Sequence, residues 1–378
     1  MTSAPLPPAH RNATWTPVPD RHRSTLALEI VGGTLGLLGV IAGITVLLPM
    51  YGAGATAVAT GLALIPLIAL VLVVLWVDRW EPEPKGMLLL AFLWGAGVSG
   101  TLAMVLNTMM LNIFITQMSE GTAMTLLASV VAPITEETTK GIVLLLILWL
   151  RPRAIDGVVD GMVYSALSAA GFAFTENISY FLRFGDIMGE VFFVRAIQGP
   201  FAHVSFTIMM GITIGIAARH RSRWAWTWLF PLGLVLAMLL HGLWNYSNNS
   251  MATQPFVYWA LQIPMLVILV GSMVYLRHQE SIMIKRRASE FARAGWLTEH
   301  EAHMLGSFQE RGRAIAWARK SGRADLMKDM QRTATRLAYN RERAASGRVQ
   351  ALDHADQSRL LQELTVQRGA LYGTPAIV

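Results

Sequence analysis

Long apolar segments constrain this chain more than any other feature of its sequence. Eight of them follow one another between residues 26 and 276, and about 20 helical residues are enough to cross the hydrocarbon core of a bilayer. Backbone polar groups in lipid must be paired within the chain, so such segments fold as helices. The sequence therefore predicts an all-α, polytopic membrane helix bundle with about eight transmembrane helices. The predicted spans are residues 26–49, 54–76, 87–115, 122–150, 157–182, 191–218, 224–246 and 255–276.

Basic residues in the connections between these segments indicate how the chain is oriented. About ten of them lie on one side before the C-terminal tail, and on the other side there are two, Arg183 and Arg195. Connections rich in lysine and arginine face the cytoplasm. The sequence thus predicts a multi-pass protein of the plasma membrane with both termini in the cytoplasm.

The pattern divides the chain into three parts. Residues 1–24 are rich in proline and have no apolar run, which predicts a disordered cytoplasmic arm. Residues 25–277 form the predicted eight-span domain. Residues 278–378 predict a helical cytoplasmic tail, in which Thr298 and Glu301 have the spacing of a capping box.

Most of the positive charge of the protein lies in this tail. It contains 17 Lys and Arg against 11 Asp and Glu, so it carries +6 of the formal net charge of +7. A basic segment directly after a membrane span is attracted to anionic lipids. We therefore expect membrane lipids, and no nucleic acid, as partners of the tail.

Charged residues interrupt the fourth apolar segment. Residues 133–140 read Pro-Ile-Thr-Glu-Glu-Thr-Thr-Lys, which places Glu136, Glu137 and Lys140 mid-way along it. Charges at bilayer depth are costly, so such residues are rare and usually serve a function. On a helix, Lys140 can reach either carboxylate, because it follows them by four and three residues. A helix that ended here at the water would leave residues 141–150 too short to span the bilayer alone.

Three further segments carry polar residues that need partners. Glu176 lies in the fifth, His203 in the sixth, and His241 and Asn245 lie one helical turn apart in the seventh. At a helical rise of 1.5 Å per residue, the four groups Glu136, Glu176, His203 and His241 fall about 21–28 Å from the cytoplasmic ends of their helices. We therefore expect one polar site inside the bundle, slightly beyond mid-membrane.

Carboxylates and imidazoles in one layer fit two different chemistries. The first is hydrolysis, with a buried glutamate as general base and with or without a metal such as zinc held by His and Glu. The second is a proton or cation relay in a proton-coupled membrane transporter. The chain has no cysteine, which excludes thiol catalysis, disulfides and zinc–thiolate sites. Composition and depth alone favour neither chemistry.

The residues around these groups form motifs, which in chain order are Asp78-Arg79-Trp80-Glu81-Pro82-Glu83-Pro84, Glu136-Glu137-x-x-Lys140, Asp160-Gly161-Met162-Val163-Tyr164, Phe172-x-x-x-Glu176-Asn177, His203 and His241-x-x-x-Asn245. Together they resemble the motifs of the PrsW family of intramembrane proteases. The resemblance covers roughly residues 26–250 and extends neither to the arm nor to the tail. The CAAX prenyl endopeptidases are more distant relatives, with a histidine where Glu176 stands.

This resemblance favours an intramembrane endopeptidase over the transporter. A transporter is expected to show repeated halves with broken helices, and the sequence shows no such symmetry. A third hypothesis is a scaffold that binds a membrane partner without cutting it. The full set of buried Glu, His and Asn argues against the scaffold, which has no need of buried charges.

The resemblance also implies a role for each site residue. Glu136 would be the general base that polarises the attacking water, and Glu137 would orient or ligate with Lys140 as its counter-charge. His241 and Asn245 would face the substrate carbonyl, where the Asn245 amide would stabilise the oxyanion. The implied catalytic residues are Glu136, Glu137, Glu176, His241 and Asn245. The implied metal ligands, for zinc if a metal is bound, are Glu176, His203 and His241. Both a metalloprotease and a metal-free, glutamate-dependent enzyme fit the resemblance.

The depth of the site predicts the class of substrate. A folded soluble protein cannot reach a site about 21–28 Å from the cytoplasmic face. A peptide bond of a membrane helix can reach it once that helix unwinds. We expect a single-span membrane protein, cut within or just outside the outer half of its span. The resemblance suggests a regulatory protein such as an anti-sigma factor.

Overall fold

The computed structural model describes residues 22–248, 254–345 and 351–372. These residues are helical apart from short connections, and no strand occurs among them. The predicted all-α architecture is confirmed. The predicted disordered arm, residues 1–24, lies outside the described residues up to position 21, and its last three residues belong to the first helix.

Eight helical segments make up the membrane part within the described residues. They are α1 (His22–Tyr51), α2 (Ala53–Val77), α3 (Lys85–Phe114), α4 (residues 120–150), α5 (Val158–Arg183), α6 (Gly185–Arg219), α7 (Trp226–Asn248) and α8 (Pro255–Arg293).

Seven of these helices, in the part of the chain that the structure describes, are long and apolar enough to cross a membrane. The exception is α4, the fourth of the eight predicted spans. Its C-terminal part, Ala132–Leu150, has 19 residues and includes Glu136, Glu137 and Lys140. Three charged side chains make it too polar to qualify by composition. They also make it the helix on which the polar site is built.

Helix α5 lies at the centre of the bundle. In the most apolar 18-residue stretch of α5, 72% of the residues are buried, compared with 11% in that of α1. Glycines allow this close packing, because a Cβ on Gly161 would lie 2.1 Å from the carbonyl oxygen of Gly211 in α6. A Cβ on Gly171 would lie 2.1 Å from the carbonyl oxygen of Phe92 in α3. Small residues let membrane helices approach in this way, so α5 packs closely against both α3 and α6.

In the part of the chain that the structure describes, four membrane helices contain a wider, π-helical turn. The turns are Trp94–Ser99 in α3, Leu127–Val131 in α4, Phe193–Gln198 in α6 and Tyr258–Gln262 in α8. Such turns are rare and occur frequently at functional sites. In α6 the π-helical turn is followed by a break at residues 199–201, and the helix resumes as Ala202–Arg219. His203 therefore lies just after a break in its own helix.

Connections on one face of the bundle contact the C-terminal tail. Arg343 forms an ion pair with Asp156 in the connection between α4 and α5. Trp80, in the connection between α2 and α3, is buried, and its ring stacks on that of Phe308 in the tail, with 3.7 Å between the ring centroids. These connections carry basic residues that predicted the cytoplasmic side. They share a face with the tail, and the orientation of this face stays a prediction.

Helix α8 leads into the tail without interruption, so the predicted boundary at residue 277 falls inside a continuous helix. The tail then forms α9 (Glu299–Leu305), α10 (Phe308–Arg319), α11 (Ala324–Ala345) and α12 (Ala351–Tyr372). The predicted capping box opens α9, with Thr298 Oγ1 accepting from the Glu301 amide and Glu301 accepting from the Thr298 amide. These helices share an apolar core of their own, and Trp80 belongs to it.

Candidate active site

Helices α4, α6 and α7 bring charged and imidazole side chains together inside the bundle. Glu137 and Lys140 of α4 are fully buried, and Glu136 is 5% exposed. The ring of His203 on α6 lies perpendicular to that of His241 on α7, with 5.1 Å between the ring centroids. Three helices thus supply one buried polar cluster from residues that are far apart in the sequence.

Glu137 holds His241 in place. Its Oε1 lies 2.9 Å from His241 Nδ1 and accepts a hydrogen bond from Lys140 Nζ at 2.8 Å. Its Oε2 accepts from Thr207 Oγ1 at 2.7 Å. Both oxygens are engaged, so Glu137 acts on the geometry of the cluster. Its bond to Nδ1 leaves His241 Nε2 directed toward Glu136 Oε2, 3.8 Å away.

Glu176 of α5 holds His203 in a similar way. Glu176 Oε2 lies 2.7 Å from His203 Nε2, and the same oxygen pairs with the guanidinium of Arg195. His203 Nδ1 lies 3.2 Å from Lys140 Nζ. Each imidazole is therefore anchored through one ring nitrogen to a carboxylate while the other nitrogen faces the cluster. Carboxylates in this position are typical orienting partners of metal-binding or catalytic histidines.

Glu136 differs from the other two carboxylates. Its Oε1 lies 3.4 Å from Asn107 Nδ2. Its Oε2 is buried and has no hydrogen-bond partner among the described residues, and the nearest cation, Lys140 Nζ, is 3.8 Å away. A buried acceptor without a partner is costly. Glu136 Oε2 is therefore the place in the cluster where a water molecule or a cation would be bound.

The cluster has the donor set of a metal site. Among the described residues, Glu136, His203 and His241 form the one group that offers three ligand atoms, all within 4.8 Å of one another. Two imidazoles and one carboxylate with an open position match catalytic zinc sites. Ligand atoms around tetrahedral zinc are roughly 3.3 Å apart, so the three side chains would have to move closer together. The orphaned Glu136 oxygen and the two carboxylate–histidine pairs fit a metal, whereas the Lys140 ammonium disfavours a cation beside it.

Phe172, the first residue of the motif Phe172-x-x-x-Glu176-Asn177, contacts Lys140 of the cluster. Lys140 Nζ lies 4.0 Å from the centroid of the Phe172 ring, and that ring lies 5.5 Å from the ring of His203. A cation above an aromatic face is stabilised when it is shielded from water. Phe172 and Glu176, four residues apart on α5, therefore contact the cluster from one helix face.

Comparison with known proteins identifies the family. Residues 83–271 match the model of the family described as PrsW family intramembrane metalloprotease. The chain belongs to the PrsW family. Relatives named Protease PrsW include that of Clostridioides difficile, 29% identical over 191 residues, 49% of this chain and 78% of the relative. That of Bacillus subtilis is 28% identical over 193 residues, which are 51% of this chain and 81% of the relative. That of Oceanobacillus iheyensis is 32% identical over 127 residues, which are 32% of this chain and 56% of the relative.

No solved structure matches the chain. The PrsW match nevertheless confirms the predicted family and the predicted enzyme class, an intramembrane protease. The protein is a multi-pass membrane enzyme whose substrates are membrane proteins. Every candidate site residue lies inside the matched range, whereas Trp80 and the tail, residues 278–378, lie outside it.

Asn245 is the one predicted site residue of this PrsW protein that is directed elsewhere. Its Nδ2 donates to the carbonyl oxygen of Ala128 at 2.9 Å. Ala128 belongs to the π-helical turn of α4, where the backbone departs from the regular helical pattern. The contact fastens α7 to α4 beside the cluster. An oxyanion role for Asn245 stays a prediction.

Sequence reasoning missed Arg195, Thr207 and Asn107. It assigned Arg195 to the outer side as a topology marker, although a charge within a predicted span calls for a partner. Asn107 Oδ1 accepts a hydrogen bond from the Thr135 hydroxyl at 2.7 Å, and its Nδ2 lies 3.4 Å from Glu136 Oε1. Thr207 gave no signal, because threonine in a membrane helix commonly bonds to its own helix backbone.

The PrsW-like loop between α2 and α3 is fastened to α5. Asp78 accepts from the Glu83 amide, with its two oxygens at 3.2 and 3.1 Å, and Tyr164 Oη donates to Glu83 Oε2 at 2.5 Å. Burial raises the pKa of Asp78 to about 7 and the pKa of Glu83 to about 8, against the hydrogen bonds that lower both. The loop thus carries acidic groups that titrate near neutral pH.

Proposed function

We propose that this PrsW-family protease hydrolyses peptide bonds of membrane proteins with Glu136 as its general base. The observation that carries the proposal is the orphaned Glu136 Oε2, buried in the cluster while Glu137 and Glu176 are tied to other side chains. A general base needs a free acceptor within reach of the water that it deprotonates. Among the three carboxylates of the cluster, Glu136 keeps a buried oxygen without a hydrogen-bond partner.

The other cluster residues would prepare this reaction. The pair Glu137–His241 holds His241 with Nε2 toward Glu136, and the pair Glu176–His203 holds His203 with Nδ1 toward Lys140. Lys140 would balance the negative charge that develops when the water attacks the carbonyl. The second amide hydrogen of Asn245 is available beyond its bond to Ala128, and we assign it to the substrate oxyanion.

We further propose zinc as the metal that this site would take, held by His203 and His241, while Glu136, whose ligand atom lies within 4.8 Å of theirs, would stay free as the base. Bound there, zinc would supply Lewis-acid activation of water and carbonyl. The resemblance implied Glu176 as a further ligand. Its Oε2 already pairs with both Arg195 and His203, which supports an orienting role for Glu176 instead.

The proton-coupled transporter is not favoured. The relatives are named as proteases, and nothing in the described cluster forms a chain of titratable groups toward both membrane faces. We keep the predicted orientation, with both termini in the cytoplasm of a plasma-membrane protein. We also keep the predicted substrate, a single-span membrane protein such as an anti-sigma factor, cut in the outer half of its span.

Reconstitution tests this proposal. The purified protein is placed in liposomes with a single-span membrane substrate, and mass spectrometry locates the cut bond. We expect one cut in the outer half of the span, and loss of cutting with a zinc chelator that added zinc restores. A cut confined to cytoplasmic sequence would contradict the depth of the site. Full activity in protein shown by elemental analysis to be free of metal would contradict the zinc proposal and leave the proposed role of Glu136 as general base.

A further inference from the structure

Arg195 is a charged side chain inside the bundle, eight residues before His203. It lies in the π-helical turn Phe193–Gln198 of α6, and its side chain is 18% exposed. Arginine near the end of a membrane helix commonly extends toward the headgroups. Here the guanidinium instead turns toward α5.

Three residues on one face of α5 receive this guanidinium. It forms an ion pair with Glu176, its Nε donates to Asn177 Oδ1 at 2.6 Å, and its central carbon lies 4.0 Å from the ring centroid of Tyr180. A planar fork with five donors suits a carboxylate, an amide oxygen and an aromatic ring at once. These contacts fix the orientation of the guanidinium, and the ion pair with Glu176 balances its charge.

The contact with Glu176 connects Arg195 to the catalytic cluster. Glu176 Oε2 is the oxygen that pairs with Arg195, and it is also the oxygen 2.7 Å from His203 Nε2. Since Nε2 is engaged there, His203 presents Nδ1 to Lys140. Arg195 thus acts on His203 through one shared carboxylate oxygen.

Charge makes this contact important for the cluster. The cluster and Arg195 together contain three carboxylates, on Glu136, Glu137 and Glu176, and two cations, on Lys140 and Arg195. Without Arg195, Glu176 would be an unpaired anion in a low-dielectric interior, where Lys140 would be its remaining cationic partner. A turn of Glu176 toward Lys140 would release His203 Nε2 and compete with Glu137 for the ammonium.

We propose that Arg195 is a positioning residue of this protease, which holds Glu176 on His203 and thereby fixes the imidazole in its working orientation. This inference rests on the proposed function, because it concerns the same reaction. Among the described residues, no hydrogen bond or ion pair joins Arg195 to Glu136. Its effect reaches the reaction through Glu176.

A double-mutant cycle tests the inference. In R195Q we expect kcat to fall roughly 10- to 100-fold, the range seen when an orienting partner of a site histidine is removed, with KM changed less than threefold. In E176Q we expect a similar loss, and R195Q/E176Q together should be no worse than E176Q alone, since both changes break one unit. R195K should recover part of the activity, because lysine keeps the charge and loses the fork.

The matched control is R183Q. Arg183 is exposed at the C-terminal end of α5, and its recorded contact is with the ring of Phe184, so kcat should stay at the wild-type value. Size-exclusion chromatography and a thermal melt in detergent establish that each variant is folded. If R195Q does not fold, R195K combined with E176Q completes the cycle.

Two outcomes would overturn the inference: R195Q with wild-type kcat, or R195Q and E176Q losses that multiply in the double variant. Both are distinct from failure of the proposed function. That function fails if the wild type cuts no membrane substrate, or if E136Q cuts as fast as the wild type. Loss of activity in E136Q with full activity in R195Q would remove the Arg195 proposal alone.

Discussion

In the Glu137–His241 pair, the hydrogen bonds that Glu137 accepts are as important for holding His241 as the charge of Glu137 is. Thr207 is fully buried and donates to Glu137 Oε2 at 2.7 Å. In T207V the shape is nearly kept and the donor is lost, which leaves a buried carboxylate oxygen unpaired at a cost of about 1–3 kcal/mol. We expect a lower melting temperature and roughly tenfold slower cleavage, measured by a thermal melt and a kinetic assay.

T213V is the control for this variant. Thr213 lies on the same helix, and its hydroxyl donates to the carbonyl oxygens of Met209 and Met210 in its own helix. Its replacement should change cleavage less than twofold. Equal losses in the two variants would show that the hydroxyl on Glu137 has no special role.

At the residue scale, charged and imidazole groups were predictable and their partners were not. Glu136, Glu137, Lys140, His203 and His241 stand out because charge and polarity are rare in apolar segments. The sequence did not indicate that Glu176 would pair with Arg195, or that Asn245 would bond to Ala128. Both contacts depend on π-helical turns, which move a side chain or a carbonyl away from its regular helical position.

At the scale of elements, the approach of α5 to α6 sets the distance between Glu176 and His203. A Cβ on Gly161 would lie 2.1 Å from the carbonyl oxygen of Gly211, so the backbones must separate in G161A. Forcing atoms into a packed interface costs roughly 1–3 kcal/mol. We expect a lower melting temperature together with reduced cleavage.

Gly189 supplies the comparison for G161A. It lies in α6, and a Cβ there would meet nothing within 4 Å. G189A should melt at or slightly above the wild-type temperature, because alanine favours the helix over glycine. A melting temperature for G161A that matches that of G189A would contradict the packing argument.

The loop between α2 and α3 should make stability depend on pH. The pKa of Glu83 is 4.5 in the unfolded chain and is raised by burial to about 8 in the folded protein. The folded state therefore binds the proton more tightly than the unfolded state. The contribution of Glu83 is fully present below about pH 4.5 and is lost as the pH rises toward about 8.

Melting temperatures measured between pH 5 and pH 9 in detergent test this dependence. We expect the wild type to lose stability across this window and E83Q to lose less, because glutamine does not titrate. Asp78, with a pKa of about 7, would account for a remaining slope. E120Q, which removes an exposed carboxylate, should follow the wild type. Parallel curves for E83Q and the wild type would contradict the assignment.

The number and type of elements could largely be predicted, and their interruptions could not. Hydrophobic length gave eight segments close to the observed helices, although α4 is too charged to qualify as a span by composition alone. The break in α6 has a sequence signal in Gly199-Pro200, a pair that commonly interrupts helices. The π-helical turns have no comparable signal, because they depend on how neighbouring helices pack.

At the scale of the whole molecule, one tryptophan connects the PrsW domain to the tail. Trp80 is 5% exposed, its ring lies 3.7 Å from that of Phe308 between centroids, and its Nε1 donates to the Arg277 carbonyl. This contact joins residues 197 positions apart. The sequence predicted a loop and a separate tail and did not indicate that they pack together. The residue pattern of one segment carries no information about which distant segment packs against it.

Replacement of Trp80 should loosen the tail and leave the catalytic cluster assembled. Truncation of a buried tryptophan to alanine costs about 3–5 kcal/mol, and no cluster residue lies in the tail. We expect W80A to expose the basic tail to trypsin, with faster cleavage beyond α8 in a limited digest, while the membrane part stays intact. W317A is the control, because Trp317 is 52% exposed. Equal protection of the tail in W80A and the wild type would contradict this docking.

The most direct measurement compares E136Q with E120Q in reconstituted liposomes. Both variants replace a glutamate of α4, but Glu136 has the orphaned oxygen in the cluster and Glu120 is exposed in the first turn of the helix. The rate of cleavage of a single-span membrane substrate is followed at saturating substrate. We predict that E136Q folds like the wild type and cuts at least about 100-fold more slowly, since general-base catalysis contributes about that much or more, while E120Q cuts at the wild-type rate. Cleavage by folded E136Q within threefold of the wild-type rate would contradict Glu136 as the base.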